Sequence, residues 1–146
     1  MKDLKPLIRL NQREVDERRR VLVHLQEAAQ RLAEEREAFE RQVVEERQLA
    51  ATDLMLARAY PPFAKQALIR REAYEHRAIL LLREIEKAEE SVAEAFRELK
   101  KFEQVQEQRD LAAKEARRYR ETQMFDEVAS VRFARQQDAA GEGEEA

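Results

Sequence analysis

The sequence predicts an all-α protein: a long two-helix antiparallel coiled-coil hairpin, with helix two overhanging helix one at the C-terminal end. Three observations predict it. Neither Gly nor Pro occurs from Leu7 to Tyr60 or from Phe63 to Ala140, so nothing there breaks a helix. Apolar residues recur at sevenfold spacing through both stretches. The one internal break is AYPPFAKQ, where Pro61 and Pro62 stand together.

Helix one is expected over about residues 4–59. One of its columns runs Ile8, Val15, Leu22, Ala29, Arg36, Val43, Ala50, Ala57. The other runs Leu4, Asn11, Arg18, Leu25, Leu32, Phe39, Glu46, Asp53. Two such columns make the seam that a partner helix covers.

The turn is placed at residues 60–63. Pro62 lacks a backbone donor, and Pro61 pushes Tyr60 out of helical geometry. A short connection between long helices makes them antiparallel neighbours.

Helix two is expected over about residues 64–137. Its columns are Ala78, Ile85, Val92, Leu99, Gln106, Ala113 and Ala67, Tyr74, Leu81, Ala88, Ala95, Phe102, Arg109, Ala116. Folding about residue 62 pairs Leu22 with Phe102, Leu25 with Leu99, Leu32 with Val92, Phe39 with Ile85 and Val43 with Leu81. Ala50 then meets Tyr74, and Asp53 meets Arg71. Arg18 would face Glu103 or Glu107, and Arg36 would face Glu86 and Glu89, polar seam pairs that fix register. Each arm would be about 80 Å long at 1.5 Å per residue. Residues 1–138 form this single domain, and 139–146, containing GEGEEA, are expected to be a disordered acidic tail.

In that register Leu4 pairs near Arg120, so the stretch QMFDEVASVRF (residues 123–133) lies beyond the partner helix. Its Met124, Phe125, Val128, Val131 and Phe133 expose an apolar side, which is the mark of a docking element. A frayed end or a contact with a second copy is the plainer alternative. Near the turn, Ile69, Ala73, His76 and Leu80 form an apolar stripe off the seam, and Leu54, Met55 and Leu56 add to it. A rigid rod with a docking patch at each end suits a connector.

Of 146 residues, 40% are charged, yet the net charge is only −3. That balance lacks the basic stripe of a nucleic-acid binder. No run of about 18 apolar residues exists to span a membrane, and MKDLKPLIRLNQRE has no signal-peptide core, which points to the cytosol. There is no Cys, no phosphate loop and no convergent ligand set. His24 and His76 fall on outward-facing positions, far apart. Neither an enzyme, a cofactor nor a metal is expected.

The N-terminal LKPLIRLNQREVDERRR and the C-terminal RRYRETQMFDEVASVRF resemble the ends of the flagellar export protein family FliJ and its injectisome counterparts. The likeness covers nearly the whole chain, and its most specific element is FDEVA, Phe125 to Ala129. The resemblance implies a non-catalytic part of the type III export apparatus, shaped like the central stalk of a rotary ATPase. It implies a terminal end, carrying Leu7, Arg9, Glu121, Met124, Phe125, Asp126, Glu127, Val128 and Arg132, that enters the export ATPase ring. It also implies contact of Ile69, Ala73, His76 and Leu80 with the cytoplasmic domain of the membrane export gate, and binding of export chaperones. The chain would be cytoplasmic, peripheral at the inner membrane and monomeric alone. The rival reading is a structural coiled-coil adaptor or self-associating scaffold unrelated to export, which a dimer in solution would favour.

Overall fold

The computed structural model describes residues 3–144. Two helices account for nearly all of them: α1, Lys5–Thr52, and α2, Leu54–Glu144. No strand occurs among the described residues. The chain packs as two units. One is Leu7–Leu99; the other joins the residues up to Pro6 with those from Lys100 onward.

The Leu7–Leu99 unit is an antiparallel hairpin. Leu32, Phe39 and Val43 of α1 cluster with Ala67 and Tyr74 of α2, and Phe63, Ala78 and Leu81 pack against them. Farther along, Val15 clusters with Ala95 and Leu99, with Ile8 against them. Within this unit every residue of the expected columns is buried or half-buried except Arg36 and Asp53. The aromatic centre is Phe39 and Tyr74, with ring centroids 5.6 Å apart and tilted by 52°. The Arg70 guanidinium lies 4.9 Å from the Phe39 centroid, a cation–π contact that also shields the rings from water.

The register differs from the expected one. Arg71 meets Glu40 rather than Asp53, and Phe39 meets Tyr74 rather than Ile85. Arg77 reaches Glu35 at 3.7 Å, and Arg18 donates to the Ser91 carbonyl at 2.9 Å. Partner numbers sum to about 110 instead of about 124, a slide of about two heptads that leaves each column in the seam. Arg18 therefore pairs with Glu14 and approaches Glu94, not Glu103 or Glu107. Arg36 is exposed and acts on Glu40 rather than on Glu86 or Glu89.

The turn moves with the register. The chain breaks at Asp53, not at residues 60–63. Asp53 caps α2: its Oδ1 accepts from the Met55 N–H at 2.8 Å, and its carbonyl accepts from the Ala57 N–H at 2.9 Å. A capping carboxylate satisfies donors that the first turn otherwise leaves open. Pro61 and Pro62 lie inside α2. Having no N–H, they omit the ladder bonds to the Ala57 and Arg58 carbonyls. Side chains hold this segment against α1: Arg47 Nε donates to the Tyr60 hydroxyl at 3.2 Å, and Phe63 packs on the core.

In the other unit the Leu4 N–H donates to Gln106 Oε1 at 3.1 Å, and Asp3 Oδ1 accepts from the Lys5 N–H at 3.1 Å, capping α1. From Glu107 to Glu144 every residue is exposed. The helix runs on through 139–144, where an unstructured tail was expected, because Ala139 and Ala140 favour helix and neither Gly141 nor Gly143 leaves helical dihedrals. The rest of that expected tail, 145–146, lies outside the described residues.

Candidate interaction surfaces

Two apolar surfaces are left uncovered, one in each unit. In the C-terminal unit, Met124, Val128 and Val131 are spaced by four and three and so share one side of α2. Phe125 stands about 100° around from Met124 and is 74% exposed. Glu121, Asp126, Glu127 and Arg132 are exposed and make no ion pair among the described residues. The backbone beneath them is continuous helix, braced by Gln123 donating to the Tyr119 hydroxyl at 2.9 Å and by Thr122 donating to the Arg118 carbonyl. Leu7 and Arg9 are also exposed, but they belong to the Leu7–Leu99 unit, so these nine residues are divided between the two units.

The second surface begins sixteen residues past the break at Asp53 and lies along the hairpin, opposite the part of α1 that holds Glu35 and Glu40, not at the turn as the sequence suggested. Ile69, Ala73, His76 and Leu80 are all exposed and follow one side of α2. Leu54 and Met55, just past the Asp53 cap, are 74% and 79% exposed. The shift of the turn leaves these two residues in the first turn of α2, outside the seam. Leu54 and Met55 thus expose apolar area at the turn, and Ile69 and Leu80 expose it farther along the hairpin.

One groove, of about 470 Å³, is open and lies among Asp3, Lys5, Gln106, Arg109, Asp110, Ala112 and Ala113. His24 sits 3.8 Å from Glu27 on the surface, and His76 is exposed without a partner among the described residues. Among the described residues no group of three potential metal ligands converges, and no helix is long and apolar enough to cross a membrane.

One feature has no counterpart among the surfaces expected from the sequence. Ala29, Ala33, Arg36, Ala78, Leu82 and Ile85 line a groove of about 240 Å³ beside the Leu32–Leu81 contact. Its signal is a sevenfold column, Leu68, Glu75, Leu82, Glu89 and Phe96, adjacent to the seam.

Fold and surfaces together define a class: an α-helical coiled-coil protein with exposed apolar stretches along its second helix. Within that class the chain belongs to the flagellar FliJ protein family, whose model matches residues 1–138. Membership implies a role connected with flagellar protein export, in a family that is not enzymatic. Comparisons with curated proteins and with solved structures gave no match.

Proposed function

We propose that the chain is the stalk of the flagellar export ATPase. In this reading the C-terminal part of α2 docks into the ATPase ring through Met124, Phe125 and Val128, with Glu121, Asp126, Glu127 and Arg132 giving polar contacts at its rim. Leu7 and Arg9, in the Leu7–Leu99 unit, are further candidates for contact with the ring. The observation that carries this reading is a continuous helix whose apolar side, at Met124, Phe125 and Val128, is exposed.

The mechanism is non-catalytic. A stalk that binds several ATPase subunits at once favours the ring over free subunits by mass action. Unequal contacts with successive subunits would bias their nucleotide states, provided the stalk's affinity differs between those states. The side of the hairpin that carries Ile69, Ala73, His76 and Leu80 then contacts the cytoplasmic domain of the export gate. Export chaperones bind the same chain, which works at the cytoplasmic face of the inner membrane.

The test is assembly and turnover of the cognate export ATPase, with the intact chain and with the pair Phe125→Ala and Val128→Ala. The intact chain is expected to stimulate both. The variant pair should keep full helicity by circular dichroism and lose the stimulation. No effect from the intact chain would overturn the stalk reading and favour a plain coiled-coil adaptor.

A further inference from the structure

The groove beside the Leu32–Leu81 contact arises from three side-chain choices. Ala29 and Ala33 are too short to fill the space facing Leu82 and Ile85. Arg36, at a seam position where an apolar residue would plug the gap, is exposed instead. Along the groove Leu82 is 57% exposed, and Leu68 and Ile79 are exposed on the same side of α2. The rim is acidic. Glu75, Glu86 and Glu89 are exposed and take part in no ion pair or hydrogen bond among the described residues. The groove's own cation, Arg36, lies close enough to Glu40 to help lower its pKa.

We infer that this face of the hairpin docks an amphipathic helix of another protein, apolar on one side and flanked by Lys or Arg. A furrow between two antiparallel helices is the shape a third helix fills, packing its ridges into their grooves. Leu68, Leu82 and Phe96 recur every fourteen residues with Glu75 and Glu89 midway between them, which matches a helix that puts a basic residue opposite each Glu. A symmetric pair of copies through this face is disfavoured by the same charges, since Glu75 and Glu89 would meet their own kind. None of the residues assigned above to the ATPase ring or the gate lies in this groove, so the inference stands or falls separately.

The experiment measures binding of two designed three-heptad helical peptides to the intact chain by fluorescence anisotropy. Both carry the same Leu and Ala face; one has Lys flanks and the other Glu flanks. The Lys-flanked peptide is expected to bind saturably, with affinity falling as salt rises, and the Glu-flanked peptide not to bind. Leu82→Lys should abolish binding, while Leu80→Lys, away from this groove, should not. Changing Glu75→Lys and Glu89→Lys together should weaken the Lys-flanked peptide by about tenfold and admit the Glu-flanked one. The inference is overturned if neither peptide saturates, if both bind alike, or if the charge pair has no effect. A concentration-dependent dimer that Leu82→Lys dissolves would also overturn it, in favour of a second copy.

Discussion

The guanidinium of Arg71 holds the carboxylate of Glu40 through two parallel hydrogen bonds, of 2.7 Å from Nε and 2.8 Å from the terminal nitrogen. The two residues come from different helices, and this fork locks the hairpin in one register. The hydrogen bonds from Arg71, aided by its charge and that of Arg36, hold the Glu40 carboxyl below the usual carboxylate range. The carboxylate is thus favoured in the folded chain over the unfolded one. The pair's contribution is full above the unfolded pKa and is lost as pH falls through the lower folded one. Glu40→Gln is therefore expected to lower the urea midpoint slightly at neutral pH, with the gap closing in acid and in high salt. A gap that stays constant with pH would show that the charge of Glu40 contributes nothing.

The aromatic centre makes a larger demand on stability. Phe39 is 5% exposed and packs on Tyr74, so Phe39→Ala should cost about 3–5 kcal/mol. Arg70→Ala removes only the cation over the ring and should cost about 0.5–1 kcal/mol. Equilibrium urea unfolding of the two variants checks the ratio. Equal losses would mean that Arg70 acts mainly by covering the rings.

Register itself can be read by disulfide trapping, because the chain has no Cys of its own. The pair Val43→Cys with Ala67→Cys joins residues of one buried cluster and should oxidise readily. The pair Val43→Cys with Leu81→Cys tests the register slid by about two heptads and should stay reduced. Rapid oxidation of the second pair alone would contradict the structure.

The prolines give an independent check of the turn. Replacing Pro61 and Pro62 by Ala restores two ladder donors inside α2 and should raise the melting temperature, since an interior Pro costs about 3 kcal/mol. A fall in melting temperature would mean that residues 60–63 form the bend instead.

At the true break, Asp53→Ala removes the carboxylate that caps the Met55 N–H and should cost about 1 kcal/mol. Asp53→Asn keeps an acceptor and should be nearly neutral. Chemical denaturation of both variants distinguishes capping from a mere charge effect.

The family resemblance and the apolar side of the C-terminal helix are both legible in the sequence. Sidedness is a local property, written in the spacing of Met124, Val128 and Val131. The groove at Ala33 and Leu82 is not legible there, because it depends on which residues of α1 face which residues of α2.

The sequence by itself determined that the chain is helical, that it folds back on itself, and which columns form the seam. From Ile8 to Leu99, the columns read at sevenfold spacing are the ones the structure buries, Arg36 and Asp53 excepted. The tertiary structure alone decided the register and the turn. A sevenfold pattern is unchanged when one helix slides past the other by whole heptads, so periodicity cannot rank the alternatives. Side-chain size and charge break the tie: Phe39 on Tyr74, Val43 in a cluster with the small Ala67, and Arg71 on Glu40. Prolines looked decisive because they oppose helix locally, but a capping Asp53 and the packing of Tyr60 and Phe63 outweigh two missing backbone bonds.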